Sequence, residues 1–115
     1  MSPRSAIRRQ ISKEKELSVS YDNIPARRVS ELLPQGAQVI DVRERNEVVT
    51  GMLPGAINIP LAQLEARLHQ LSPDRPVAVV CEGGSRSREA ATLLVRRGFR
   101  KVVNLDGGMA AARRR

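Results

Sequence analysis

The sequence predicts a single α/β domain built on a mostly parallel sheet, and three observations carry that prediction. Short β-branched runs alternate with segments of helical spacing along the chain. One of those runs, Val77-Ala78-Val79-Val80, is apolar at every position, as strands covered on both faces are. The length of 115 residues is enough to bury about two thirds of the unfolded surface in one core and too short for two ordinary domains. Right-handed crossovers then join the strands, and functional groups are expected at the strands' carboxyl ends.

Residues 1–20 read as a basic lead-in, with Arg4, Arg8, Arg9, Lys13 and Lys15 offset by Glu14 and Glu16, and the domain proper is expected over 21–112 with a basic tail at 113–115. Leu17-Ser18-Val19-Ser20 alternates apolar and polar residues and is expected to be a first edge strand. From Ala26, the segment ARRVSELL spaces Val29, Leu32 and Leu33 as a short helix, with Pro25 suited to its start and Pro34-Gln35-Gly36 to its end. Gln38 to Val42 reads as a buried strand ending on a charged cluster, Asp41-Val42-Arg43-Glu44-Arg45. Pro54-Gly55 turns the chain into a short strand, Ala56 to Ile59, stopped by Pro60. Leu61, Leu64, Leu68 and Leu71 then form one apolar stripe, the clearest helix by periodicity. After the all-apolar strand at 77–80, Gly83-Gly84 turns into a helix from Ser85 to Arg97, closed by Gly98. Val102 to Leu105 supplies the last strand, and Asp106-Gly107-Gly108 turns into a short tail.

Composition removes several function classes. There are 20 Lys plus Arg against 12 Asp plus Glu, a formal net charge of +8, and 17 of the basic residues are arginine, which favours an anionic ligand or partner. One cysteine cannot form an internal disulfide or a Cys-rich zinc site. Two aromatic residues, Tyr21 and Phe99, are too few for base-stacking RNA or single-strand readers, and nucleic acid is not the expected partner. No stretch approaches the roughly 20 apolar residues of a membrane span, and no secretion signal is read at residues 1–20, so the cytoplasm is the expected compartment.

Position nominates Cys81. It stands at the carboxyl end of the central strand and opens Cys81-Glu82-Gly83-Gly84-Ser85-Arg86-Ser87. Glycines let such a turn fold into a concave nest of N–H groups, and a helix N-terminus adds partial positive charge, so a thiolate there is favoured without a histidine base. Arg86 supplies a permanent cation with a planar fork for an oxyanion, and Ser85 or Ser87 can cap the helix or donate to substrate. A buried cysteine before a Gly-rich strand-to-helix turn also occurs for packing alone, and these residues by themselves weigh the two readings evenly.

A resemblance decides between them. Asp41-Val42-Arg43-Glu44, Gly51-Met52-Leu53-Pro54-Gly55-Ala56-Ile57-Asn58-Ile59-Pro60, the Cys81 to Ser87 loop, Ala90-Ala91, Gly98-Phe99 and Val103-Asn104-Leu105-Asp106-Gly107-Gly108 follow the order and spacing of a single-domain rhodanese, so residues 26–112 resemble the thiosulfate sulfurtransferase-like family. The resemblance implies a three-layer fold with a five-stranded parallel sheet flanked by helices. It implies that Cys81 accepts a sulfane sulfur as a persulfide, that residues 82 to 87 bind the donor and cradle the transferred sulfur, and that Asp41 and Arg43 tie neighbouring loops together. The donor is a small anion such as thiosulfate, or a persulfide, and the acceptor a thiol or cyanide. Neither a metal nor an organic cofactor is implied. Cysteine phosphatases place five residues between cysteine and arginine; the four here, Glu82 to Ser85, make a smaller cradle suited to one sulfur atom.

Three positions depart from the family pattern. Glu82 follows the cysteine, so a carboxylate either stands near the sulfur, opposing thiosulfate binding and thiolate formation, or points outward. Met52 replaces a common histidine, and Ala112 a common tryptophan. His69, the only histidine, lies beside the leucine stripe and is assigned no role. Arg96, Arg97, Arg100 and Lys101 form a cluster that is either a solvated face or a guide for an acidic partner or anionic substrate. Charge by segment is +3 over 1–37, −1 over 38–80 and +6 over 81–115, so most of the excess follows the cysteine. The main alternative to an enzyme is a non-catalytic module of the same fold that binds an acidic partner.

Overall fold

β-branched content and pleat periodicity account for the sheet. In the computed structural model, which describes residues 21–114, five strands run in parallel: β1 Asp22–Pro25, β2 Gln38–Asp41, β3 Ile57–Asn58, β4 Val77–Val80 and β5 Val102–Asp106, in the spatial order β1-β5-β4-β2-β3. Strand β4 is hydrogen-bonded on both sides, to β2 and β5, and all four of its residues are buried. Alternation then sends successive residues of the run to opposite faces. Val77, Val79 and Cys81 join one apolar cluster with Ile40, Leu64 and Leu94, while Ala78 and Val80 join the other with Val29, Val103 and Met109. Each fully buried valine contributes roughly 1.5–3 kcal/mol. The three-layer architecture is the one the sequence predicted.

The helices are α1 Arg45–Val48, α2 Leu61–Leu64, α3 Ser85–Arg96 and α4 Gly108–Ala112. Helix α3 is the long one, and it lays Ala90, Ala91 and Leu94 on the β4 face. Three expectations need correction. The helix expected from Ala26 is wound as two 3-10 segments, Ala26–Glu31 and Leu33–Gln35, the second containing Pro34. The leucine-stripe helix is α-helical only over Leu61–Leu64 and 3-10 over Glu65–Gln70. Its 3-10 part rises about 2.0 Å per residue instead of 1.5 Å, so the same residues reach further, and Leu71 arrives in the core already extended. The turn after β5 leads into α4 rather than a tail, and Arg113, expected in the tail, caps that helix and is tied to Glu82. The edge strand is at Asp22–Pro25, where each residue registers with β5; the expected strand at Leu17 to Ser20 lies outside the described residues.

Candidate active site

Strand β4 delivers Cys81 to the carboxyl edge of the sheet, and the loop after it folds back to start α3. Gly84 makes that turn possible: it has φ of 109°, a left-handed value that side chains disfavour, and it points its N–H at the Cys81 Sγ at 3.0 Å. Cys81 itself is buried, with exposed Gly83 and Ser85 beside it.

Behind the sulfur lies a buried polar relay that sequence reasoning did not single out. The Cys81 thiol faces Ser87 Oγ at 3.4 Å, and Ser87 Oγ stands 2.6 Å from Asn104 Oδ1 and 3.0 Å from the Gly84 carbonyl. A hydroxyl has one proton to donate, and the shorter contact assigns it to Asn104, leaving an Oγ lone pair toward the sulfur. Asn104 Nδ2 in turn donates to Asn23 Oδ1 at 2.9 Å, linking β5 to β1. Ser87, expected among the substrate-binding residues, is therefore fully buried beneath the sulfur and positions it. Asn104 stood inside an apolar strand run, where an amide with no exposed surface needs a partner; that was the available signal.

The loop's peptide planes are held from α4. Met109 N–H donates to the Cys81 carbonyl at 2.8 Å and Ala110 N–H to the Glu82 carbonyl at 3.0 Å. The approach is so close that a Cβ on Gly108 would sit 2.4 Å from the Cys81 carbonyl oxygen.

Around this core, charged groups pair off. Asp41 and Arg43, at the end of β2, are both buried and bonded three ways, with Arg43 Nε on Asp41 Oδ1 at 3.0 Å, Nη2 on Oδ2 at 2.8 Å, and the Arg43 backbone N–H on Oδ1 at 3.0 Å. The same guanidinium donates to the Gly51 carbonyl at 2.8 Å and reaches Glu82 Oε1 at 3.4 Å. The hydrogen bonds to Asp41 raise the guanidinium's proton affinity against the opposing effect of burial. The Glu82 carboxylate is shared between two guanidiniums, its other oxygen accepting from Arg113 at 2.7 Å.

Arg86 does not stand free as an oxyanion fork. Its Nη1 and Nη2 grip the two oxygens of Glu47 at 2.6 and 2.9 Å. Glu47 also closes a capping box on α1, accepting the Glu44 N–H at 2.9 Å while the Glu44 side chain accepts from the Glu47 backbone. These bonds, led by Arg86, hold the Glu47 carboxyl at about 2, and Glu47 raises Arg86 in return, with the charge of the Cys81 sulfur adding to the effect. A depressed carboxyl stabilises the fold fully above its unfolded value near 4.5, and that contribution is lost as pH falls toward 2. Since both side chains are about a third exposed, solvent screening limits it to about 1 kcal/mol. Acid titration should therefore show wild type more stable than Glu47→Gln by a constant margin down to about pH 5, closing between 4.5 and 2. A margin that persists undiminished at the acid end contradicts this.

The basic cluster near Gly98 is at the wrong end to serve the site. Helix α3 runs away from Cys81, so Arg96 lies about 17 Å along its axis from Ser85. Arg97 pairs with Glu65, Arg100 with Asp74 at 3.4 Å, and Lys101 meets Gln35 beside the amino ends of β4 and β5. Of the two readings of this cluster, its placement favours the solvated face. Exposed His69 takes no part in the site. Among the described residues no cluster of three His, Cys, Asp or Glu could hold a metal ion, and no helix is long and apolar enough to cross a membrane.

A family model described as a rhodanese-like domain matches residues 25–114. The chain belongs to the rhodanese-like family. Within it, the uncharacterized protein YqhL of Bacillus subtilis is 46% identical over 72 residues, 63% of this chain and 57% of that one. The thiosulfate sulfurtransferase GlpE of Pseudomonas aeruginosa is 32% identical over 92 residues, 80% of this chain and 84% of its own length. Among solved structures, reduced CoADR-RHD of Bacillus anthracis superposes with a TM-score of 0.75 at 37% identity, covering 80% of this chain and 16% of that one. The match thus spans little more than half of YqhL and a small part of CoADR-RHD. A rhodanese-like domain with sulfurtransferase-named relatives is what these likenesses support, and the arrangement around Cys81 carries the rest of the argument.

Proposed function

We propose that the protein is a sulfurtransferase that carries a sulfane sulfur on Cys81. The observation that carries the reading is the loop itself: the buried Cys81 sulfur accepts the Gly84 N–H at 3.0 Å, and the Cys81 and Glu82 carbonyls are held by the Met109 and Ala110 N–H groups of α4. An anionic sulfur is stabilised by such a donor.

In the first half-reaction the Cys81 thiolate attacks the outer sulfur of the donor. A Cys81 S–S bond forms, the donor's own S–S bond breaks, and sulfite leaves from thiosulfate or a thiolate from a persulfide. In the second, the acceptor, a thiol or cyanide, attacks the outer sulfur and releases the Cys81 thiolate. Residues 82 to 86 surround the transferred sulfur, Ser87 and Asn104 fix the inner one, and Asp41 with Arg43 holds the adjoining loop against the cradle. The cytoplasm, where thiols stay reduced, suits a lone nucleophilic cysteine.

Intact mass measured after incubation with thiosulfate, and separately with glutathione persulfide, tests the reading. The wild type should gain one sulfur atom, and Cys81→Ser none. Absence of any added sulfur from both donors removes the enzymatic proposal.

A further inference from the structure

Four guanidiniums come to the cysteine loop: Arg43, Arg86, Arg113 and Arg88, whose Nη2 lies 3.8 Å from where a Gly84 Cβ would be. Three carboxylates meet them. Asp41 and Glu82 take Arg43, Glu82 also takes Arg113, and Glu47 takes both terminal nitrogens of Arg86. Once Cys81 is a thiolate, these charges balance. A donor anion approaching Arg43, Arg86 or Arg113 must compete with carboxylates already seated on those cations.

Of these pairs, Arg86–Glu47 is the one that decides what the site does with an anion. Arg86 is in the first turn of α3, two residues after the cradle glycine Gly84 and about a third exposed, and it is the loop guanidinium whose proton affinity the charge of the Cys81 sulfur raises. Its fork geometry matches a carboxylate and a sulfonate equally well, and the two oxygens of Glu47 occupy both prongs. Glu47 is held in turn by the α1 capping box, so releasing Arg86 costs two sets of bonds at once.

Resting on the sulfurtransferase reading, we infer that Glu47 is a specificity-determining residue: by occupying Arg86 it biases the site against the thiosulfate dianion and toward a persulfide donor, whose transferable sulfur carries at most one charge. The persulfide step balances as RSSH plus Cys81 thiolate giving Cys81 persulfide plus RS⁻, and the leaving thiolate needs no sulfonate pocket. Thiosulfate instead must place its sulfonate oxygens beside Arg86, whose fork Glu47 already holds.

Single-turnover loading followed by intact mass, with thiosulfate and with cysteine persulfide at subsaturating concentrations, separates the possibilities. Glu47→Gln should raise the second-order rate with thiosulfate about tenfold while leaving the persulfide rate within about twofold. Glu47→Gln combined with Arg86→Gln should lose that gain, since the freed cation is its source. Glu82→Gln, which keeps α1 intact, should raise thiosulfate loading in the same direction. If thiosulfate loading is unchanged in Glu47→Gln and Glu82→Gln, or if both donors slow together in Glu47→Gln, Glu47 is only a structural cap and the inference is overturned. Failure of the wild type to load from either donor overturns the sulfurtransferase reading as well, and that outcome is visible before any variant is made.

Discussion

Replacing Gly108 with alanine is expected to cost about 2–4 kcal/mol, a fall in Tm of roughly 10–30 °C, and to lower sulfur loading beyond what the lost stability explains. Two effects combine at this position. Gly108 has φ of 61°, a left-handed conformation that strains any residue with a Cβ. The added carbon would also lie 2.4 Å from the Cys81 carbonyl oxygen and 2.5 Å from that of Glu82, both backbone atoms of the cradle. Neither can move without shifting the peptides that lead from Cys81 to Gly84, whose N–H bonds the sulfur. Gly36 separates the two effects, because it too has a positive φ, of 81°, but nothing within 4 Å of its would-be Cβ. Gly36→Ala should cost only about 1 kcal/mol and leave loading intact. Thermal melts and single-turnover loading of the two variants check this, and equal losses in both would show that the contact with the loop is immaterial.

Removing the guanidinium of Arg43 should be the costliest single change near the site. Asp41 has no exposed surface, and Arg43→Ala leaves its carboxylate buried without its partner, a loss of about 3–5 kcal/mol. The same change frees the Gly51 carbonyl and one side of Glu82. The charge is what matters: Asp41→Asn combined with Arg43→Gln, which removes both ions, should be more stable than Arg43→Ala alone by 1 kcal/mol or more in denaturant titration. A double variant as unstable as the single would mean that shape and hydrogen bonding, rather than an unpaired charge, set the penalty.

How much of this was legible depends on the kind of residue involved. Strands β2, β4 and β5 are rich in β-branched residues, and the strand leading to Cys81 followed from its uniform apolarity, as a doubly covered position allows. Strand β1 was not legible, because Asp22-Asn23-Ile24-Pro25 contains three residues depleted in strands and is held by its register with β5 alone. Helix α4 has five residues and opens on a glycine, too little for periodicity; its role came from the backbone bonds it makes to the Cys81 loop. The cysteine, its glycines and Arg86 were readable as a local string. Glu47 was not, since nothing in a string reveals that a carboxylate 39 positions earlier grips Arg86; only the Glu44 to Glu47 spacing hinted at a capping box. The net charge misled for the same reason. Nine basic residues follow Cys81 onward, yet those at 96, 97, 100 and 101 stand at the far end of α3 and beside β5, and Arg86 and Arg113 at the loop are paired with carboxylates distant in sequence.

The central claim is that Cys81 carries the transferred sulfur as an intermediate, and the most direct measurement follows that atom. Donor labelled in its outer sulfur is mixed with the protein for less than one turnover, the chain is mapped by peptide mass spectrometry, and a thiol or cyanide acceptor is then added. The account predicts label on the peptide containing Cys81, absent in Cys81→Ser, and passing to the acceptor no more slowly than steady-state turnover. Label that reaches the acceptor without ever residing on Cys81 would contradict it.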